Sequence, residues 1–307
     1  MSGKTTHHSY PLGIDVGGSG IKAAPVDLDK GVFASKRKRV DTPQPATPDS
    51  VIEVIATLVE HFADQVGDAP IGVTVPAVVT HGTVRSAANI DKAWIDFEGE
   101  KAMAKALGRE VTLINDADAA GYGELHYGAA VNENGLVILT TLGTGIGAGL
   151  ILNNALYRGR SDLAGEIGHV VIFPDGPLCV CGKRGCLEAL ASGTALGRRG
   201  REEFGDETLT AHDVCARARL DDPLASSIIA DAALALGIGL ANLLHTLNLE
   251  RIVLGTLAVH AADLLLEPIR AATEVHCWPE IWQGVSIVPA ALGDAAQDKA
   301  ALAAALQ

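Results

Sequence analysis

His169, Cys179, Cys181 and Cys186 fall within one short stretch of this chain, an imidazole and three thiols. Together they make a closed tetrahedral zinc set, and Gly182 and Gly185 let the loop turn back on the ion. Crowded free thiolates repel one another or oxidise. A metal removes both problems and pins a loop that has no core of its own. The competing reading is a pair of disulfides or unrelated buried cysteines. Cys179 and Cys181 are poorly placed to bridge, and the N-terminus MSGKTTHHSY lacks the apolar run of a secretory signal. Glu166 lies one helical turn before His169, and Glu188 follows Cys186 closely. Carboxylates therefore travel with the loop, which suggests that it shapes a polar pocket.

A second chemistry is carried by glycines. The apolar run Leu12–Val16 contains Asp15 and leads into Gly17-Gly18-Ser19-Gly20-Ile21-Lys22. Strand, glycine turn and a second strand over Ile21–Val26 make a hairpin whose backbone N–H groups can approach a phosphate without Cβ interference. Asp15 beside the turn could hold Mg²⁺ through water. Hairpins also carry such turns for steric reasons alone. No helix follows, so the spacing is not that of a Rossmann or Walker loop. The strand Leu136–Leu142, the turn Gly143-Thr144-Gly145-Ile146-Gly147 and the strand Gly149–Leu152 repeat the unit. The echo implies a duplicated fold with a phosphate chain held between its halves.

The elements that must position these groups follow from periodicity and punctuation. Val32–Val40 reads as a third strand carrying Lys36-Arg37-Lys38-Arg39, either a solvated face or a polyanion contact. The rigid loop TPQPATP precedes a helix to about Ala63, capped by Asp49 or Ser50, with Val51, Ile55, Leu58, Val59 and Phe62 on its inner stripe. Ile71–Val75 is a buried strand, and Phe97–Leu107 looks helical. Val111–Ile114 delivers Asn115-Asp116-Ala117-Asp118 at its carboxyl end, where open α/β sheets place their chemistry. Asp116 could instead cap the helix that follows. Beyond the metal loop, helices are expected over Thr194–Phe204, Thr210–Leu220 and Asp222–Leu249. The strand Arg251–Leu254, a helix Ala258–Val275, the strand Val285–Pro289 and a last helix Ala295–Leu306 complete the chain.

Length and charge limit what this machinery can serve. The 307 residues suffice for two packed domains, with 48% hydrophobic and 20% charged residues. A formal net charge of −13 argues against a general nucleic-acid binder. The most apolar stretch, Ala232–Leu249, is interrupted by Gly237, Gly239, Asn242, His245 and Asn248, and reads as a buried helix, not a membrane span. Cys215 and Cys277 are left over as reduced core residues. A cytoplasmic protein is expected.

The motifs DVGGSGIK (Asp15–Lys22), NDADAAG (Asn115–Gly121), LGTGIG (Leu142–Gly147), GEIGH (Gly165–His169) and CVCGKRGCLE (Cys179–Glu188) resemble the ROK sugar kinases of the actin-like ATPase superfamily. The resemblance covers most of the chain. It implies an α/β, two-lobed actin-like ATPase (ribonuclease H-like) fold with a duplicated α/β core and the active site in the interlobe cleft. Residues 1–117 and 291–307 would form the N-terminal lobe, and 118–290 the C-terminal lobe with the zinc loop. The implied activity is transfer of a phosphoryl group to O6 of glucose, with Asp116 as general base. Asn89, Asn115, Glu166, His169 and Glu188 would bind sugar hydroxyls. Gly17, Gly18, Ser19, Lys22, Gly143, Thr144 and Gly145 would hold the donor phosphates, and Asp15 a hydrated Mg²⁺. Zinc on His169, Cys179, Cys181 and Cys186 would be structural.

The first half is most similar to polyphosphate glucokinases, through TPQPATP and VTHGTVRSAANIDKAW; the cysteine loop is similar to ATP-dependent glucokinases. Where ATP users often read LGGG, this chain has Leu254-Gly255-Thr256-Leu257. Polyphosphate and ATP are thus both expected donors, with Lys22, Lys36, Arg37, Arg39, Arg85 and Lys92 available for polyphosphate and an adenine slot expected near Gly255–His260. A strictly ATP-dependent hexokinase for glucose, mannose, fructose or an N-acetylhexosamine is the alternative. A ROK-type sugar sensor is a further one, disfavoured because Asp15 leaves no room for a preceding helix-turn-helix. A homodimer is implied by the resemblance; neither nucleic acid nor membrane is expected as a partner.

Overall fold

The computed structural model of the chain describes residues 9–87, 90–131 and 136–292. They fall into two compact units. Of the described residues, one holds those up to Tyr127 together with Arg158–Leu163; the other holds those of Gly128–Tyr157 and those from Ala164 to Leu292.

In the first unit, β1 (Leu12–Val16) is a fully buried run at the centre of a sheet. It pairs antiparallel with β2 (Gly20–Asp27), while β3 (Val32–Phe33) and β4 (Lys38–Asp41) line the far edge of β2. On its other side β1 pairs in parallel with β5 (Ile71–Val75), and β5 with β8 (Val111–Asn115); β6 (Val79–Thr80) and β7 (Thr83–Val84) form a small separate hairpin. Leucine, isoleucine and valine alternate inward from β1, β5 and β8 onto α1 (Pro48–His61), whose Val51, Ile55 and Leu58 are buried. Thr47 caps α1 by accepting the N–H of Ser50, and Pro48 begins the helix where no N–H is needed. The short α2 (Ala63–Val66) and α3 (Gly99–Leu107) complete the cover, and α4 (Asp116–Tyr127) starts directly where β8 ends. Trp94 is fully buried in this core, its indole N–H donating to the Ala46 carbonyl at 2.9 Å.

The single strand expected over Val32–Val40 is two strands. Val26 pairs with Phe33, but Ala23 pairs with Lys38, so the register on β2 slips by two residues between β3 and β4. The additional residues bulge out of the ladder, and periodicity carries no trace of such a slip.

The second unit repeats the plan. Its sheet runs β11 (Ala155–Leu156), β10 (Ile146–Leu152), β9 (Leu136–Leu142), β12 (Arg251–Thr256), β13 (Ser286–Pro289). As in β3-β2-β1-β5-β8, the first three are antiparallel and the rest parallel. The duplication expected from the two glycine hairpins is therefore present in strand order and direction. Helices α5 (Leu187–Ala191), α6 (Gly193–Phe204), α7 (Ala211–Ala218) and α8 (Pro223–Leu247) follow the cysteine loop. Among the described residues, α8 alone is long and apolar enough to cross a membrane, yet Ile228, Ala232, Leu236, Leu240 and Leu244 are buried in the core of this unit. The helix expected over Ala258–Val275 breaks at Ala261 into α9 (Leu257–His260) and α10 (Ala262–His276); a short α11 (Pro279–Trp282) follows. The last expected helix lies outside the described residues. Cys215 and Cys277 are buried free thiols, as expected.

Candidate functional site

Chemistry in the first unit gathers at the carboxyl ends of β1, β5 and β8. β1 and β2 turn through Gly17, Gly18 and Ser19, closed by the Gly17 N–H donating to the Gly20 carbonyl at 3.1 Å. The Thr42 hydroxyl donates to the Gly17 carbonyl at 2.6 Å and the Arg39 guanidinium to the Ser19 carbonyl at 2.8 Å. These bonds hold the turn from behind, and Gly18 and Ser19 stay exposed. Thr42 and Arg39 lie far from the turn in sequence, so nothing local announces them.

Asp15, buried at the end of β1, accepts the Thr74 hydroxyl at 3.0 Å on Oδ1 and faces the Lys22 ammonium at 3.6 Å on Oδ2. Burial pushes its carboxyl upward; Lys22 and Thr74 oppose the shift. With a protein partner at each oxygen, Asp15 suits contact with a hydrated cation better than direct ligation.

Asn115 and Asp116 mark the junction of β8 and α4. The Asn115 side-chain carbonyl accepts the N–H groups of Ala117 and Asp118 at 2.8 and 3.2 Å, so Asn115 is the residue that caps α4. Its amide donates to the Ala77 carbonyl at 3.0 Å and also hydrogen-bonds the Asp116 carboxyl, which lowers that group. Asp116 accepts the Ala117 N–H at 2.9 Å. Burial pushes its carboxyl up to about 6, well above the ordinary carboxylate range, and the nearby Asp15 charge adds to the shift. A carboxyl poised there is suited to general base work near neutral pH. Asn89 lies outside the described residues.

The second unit holds the cysteine cluster. The ligand atoms of His169, Cys179, Cys181 and Cys186 all lie within 4.8 Å of one another. Cys181 Sγ and Cys186 Sγ are 3.6 Å apart, and Cys179 Sγ is 3.6 Å from His169 Nδ1. Sulfur separations of that size exclude a disulfide and match the edge of a tetrahedron with metal–sulfur bonds near ~2.3 Å. Burial and the neighbouring thiols push the Cys186 thiol up to about 12, so a cation is what would hold it as a thiolate. The residues therefore fit a metal ion. Gly185, at φ +69°, turns the loop where a Cβ would collide with the Phe173 carbonyl.

Glu166 and Glu188 frame the other edge of His169. His169 turns Nδ1 to the thiols and Nε2 toward Glu166, 3.9 Å from its Oε2. Burial and the Glu188 charge raise the Glu166 carboxyl, and His169 opposes this. Glu188 accepts the Ile146 N–H at 2.9 Å on Oε2 and packs on Gly145, where any side chain would strike it. The cysteine loop is thereby tied to the second glycine turn, in which the Gly143 N–H donates to the Gly145 carbonyl at 2.9 Å. Thr144 at its tip is exposed.

A cavity of about 470 Å³ opens beside Gly143 and Thr144. Thr194, His212, Thr256, Leu257 and His260 contribute to its wall, so it takes in the stretch where an adenine slot was expected. Thr256 sits at φ +53° and ψ −111°, backbone that favours glycine and is strained for a β-branched residue. A sequence pattern could register only that a glycine was replaced there; the strain needs the structure.

Two α/β units of one strand order, each opening on a strand–glycine turn–strand, define the duplicated architecture of the actin-like ATPases. The ROK family model matches residues 11–307, and the chain belongs to the ROK family. It is 48% identical over 171 residues to the polyphosphate glucokinase of Mycobacterium tuberculosis, a match spanning 55% of this chain and 61% of that enzyme's length. It is 28% identical to the xylose repressor of Bacillus subtilis over 92% of this chain and 73% of the repressor. The crystal structure of a ROK family glucokinase from Streptomyces griseus, in complex with glucose and AMPPNP, superposes with a TM-score of 0.79 at 31% identity, covering 95% of this chain and 98% of that one.

Proposed function

We propose that the protein is a glucokinase that moves a phosphoryl group to O6 of glucose, with polyphosphate, ATP or both as donor. The observation that carries the reading is Asp116, a carboxyl raised to about 6 at the start of α4, on the sheet that also carries the Gly17–Ser19 turn. A primary alcohol is a weak nucleophile at neutral pH, and Asp116 accepts its proton as the new P–O bond forms. Asn115, whose side chain caps α4 and bonds the Asp116 carboxyl, and Asn89 are assigned to the sugar's ring hydroxyls. Glu166, Glu188 and the Nε2 edge of His169 read further hydroxyls. In the turns that Gly17 and Gly143 close, Gly18, Ser19 and Lys22 in one unit, and Thr144 and Gly145 in the other, supply N–H, hydroxyl and ammonium donors to phosphate oxygens.

Two metal ions belong to this reading. Mg²⁺, held through water by Asp15, would neutralise charge on the donor phosphates. Zinc on His169, Cys179, Cys181 and Cys186 would orient the His169 ring and do no phosphoryl chemistry.

The donor has support on both sides. A cavity of about 470 Å³ beside Thr144 has the size for a nucleoside and favours ATP. Similarity to the mycobacterial enzyme favours polyphosphate. The five free cysteines fit a reducing cytoplasm. A homodimer is part of the reading, supported by exposed apolar side chains on the metal loop at Val170, Val171, Phe173, Leu178 and Val180.

The experiment is sugar-dependent release of sugar 6-phosphate from purified protein and Mg²⁺. ATP and long-chain polyphosphate serve as sole donors against glucose, mannose, fructose and N-acetylglucosamine. Glucose turnover with either donor is expected. Binding of sugar without phosphate transfer from any donor would overturn the kinase reading and favour the sensor that the likeness to the xylose repressor suggests.

A further inference from the structure

The residues Lys36-Arg37-Lys38-Arg39 are all exposed on a chain whose formal net charge is −13. The two-residue slip between β3 and β4 falls at this run, and it lifts Lys36 and Arg37 out of the ladder. Lys36 and Lys38 make no ion pair among the described residues. Arg39 pairs with Asp41 at 2.6 Å, an exposed contact worth little in water.

The run is connected to the phosphate turn. Across the sheet Arg39 stands opposite Lys22, Lys22 opposite Asp15, and Asp15 opposite Thr74. Opposed residues share a face, so one row leads from the basic edge to the buried end of β1. Arg39 itself bonds the Ser19 carbonyl at the tip of the turn. The Arg37 charge is felt at Asp15, where it lowers the carboxyl.

The geometry points to Lys36–Arg39 as a docking strip for inorganic polyphosphate, feeding the chain's end to the Gly17–Ser19 turn. This rests on the polyphosphate reading of the donor. A nucleoside triphosphate concentrates its charge in a few bonds and relies on base and ribose for the rest. A polyphosphate has only repeating charge to offer, and consecutive cations leading to a phosphate turn are what recognises it. In a protein this acidic, such a strip also supplies local attraction for an anion that the net charge repels.

The test compares wild type with K36Q/R37Q/K38Q, all exposed positions, and with K101Q/K105Q on α3 as a control for loss of basic charge elsewhere in the unit. Direct binding of long-chain polyphosphate and KM for polyphosphate and for ATP are measured, with thermal unfolding to verify folding. The triple variant is expected to bind polyphosphate at least tenfold more weakly. Its KM for polyphosphate should rise in step, KM for ATP should move less than twofold, and raised salt should shrink the difference. Control binding stays at wild type. Wild-type polyphosphate use with an unchanged triple variant overturns the strip alone. A wild type active with ATP but unable to bind or use polyphosphate overturns the polyphosphate reading and the strip together. Equal loss of single-stranded DNA binding and polyphosphate binding would replace it with an unselective polyanion patch.

Discussion

Asp116 is held where ionisation is costly, and that has two measurable consequences. Burial is the main cause of its shift to about 6, with the Asp15 charge adding to it. In the proposed role of general base it must be ionised, so kcat/KM for glucose should fall below about pH 6 and be flat above, read from a pH–rate profile. The same shift opposes folding: the penalty is absent below the ordinary carboxylate range and complete above about pH 6. D116N, isosteric and neutral, should therefore be more stable than wild type at pH 7.5 by up to about 3 kcal/mol. Equal or lower stability in denaturant titrations would contradict the burial. Thr256 makes a second point at this scale. Its positive φ suits glycine, and T256G should raise stability by about 1 kcal/mol despite the added freedom of the unfolded chain. The place of Asp116 at the end of a buried strand was legible because it follows an apolar run in a motif of fixed spacing. The bonds from Arg39 and Thr42 to the first turn were not, because distant residues meet only after β2 and β4 pair.

At the scale of elements, the cysteine loop and the second glycine turn form one unit through Glu188. Removing the proposed metal should disturb more than the loop. C181S should lower metal content below one per chain by elemental analysis, reduce the melting temperature, and raise KM for glucose by about an order of magnitude as His169 loses its anchor. Full metal occupancy in that variant would remove Cys181 from the ligand set. The strands and most helices were readable from buried runs and caps. The exceptions have physical causes. The expected strand Val32–Val40 is split by a register slip, and the helix after β12 breaks at Ala261, where residue types give no sign of either.

For the whole molecule, the repeated sheet order explains why two glycine turns occur in one chain: each belongs to the same position of a duplicated α/β unit. The duplication was legible as two strand–glycine–strand segments; the parallel strands that complete each sheet were visible only as isolated apolar runs. Each unit carries its own candidate groups, with the buried Asp116 carboxyl in the first and the His169–cysteine cluster and the cavity in the second. The two proposed donors, polyphosphate and ATP, would therefore make different demands on the chain. The exposed basic strip belongs to the first unit and the apolar-walled cavity to the second.

The most direct measurement is glucose 6-phosphate formation by wild type and D116N side by side, at saturating glucose with ATP and with polyphosphate. The expected result is turnover by wild type with at least one donor. D116N should still bind glucose while its turnover drops by about two to four orders of magnitude. A D116N rate within tenfold of wild type, or no glucose phosphorylation by wild type from either donor, would contradict a glucokinase driven by this carboxylate.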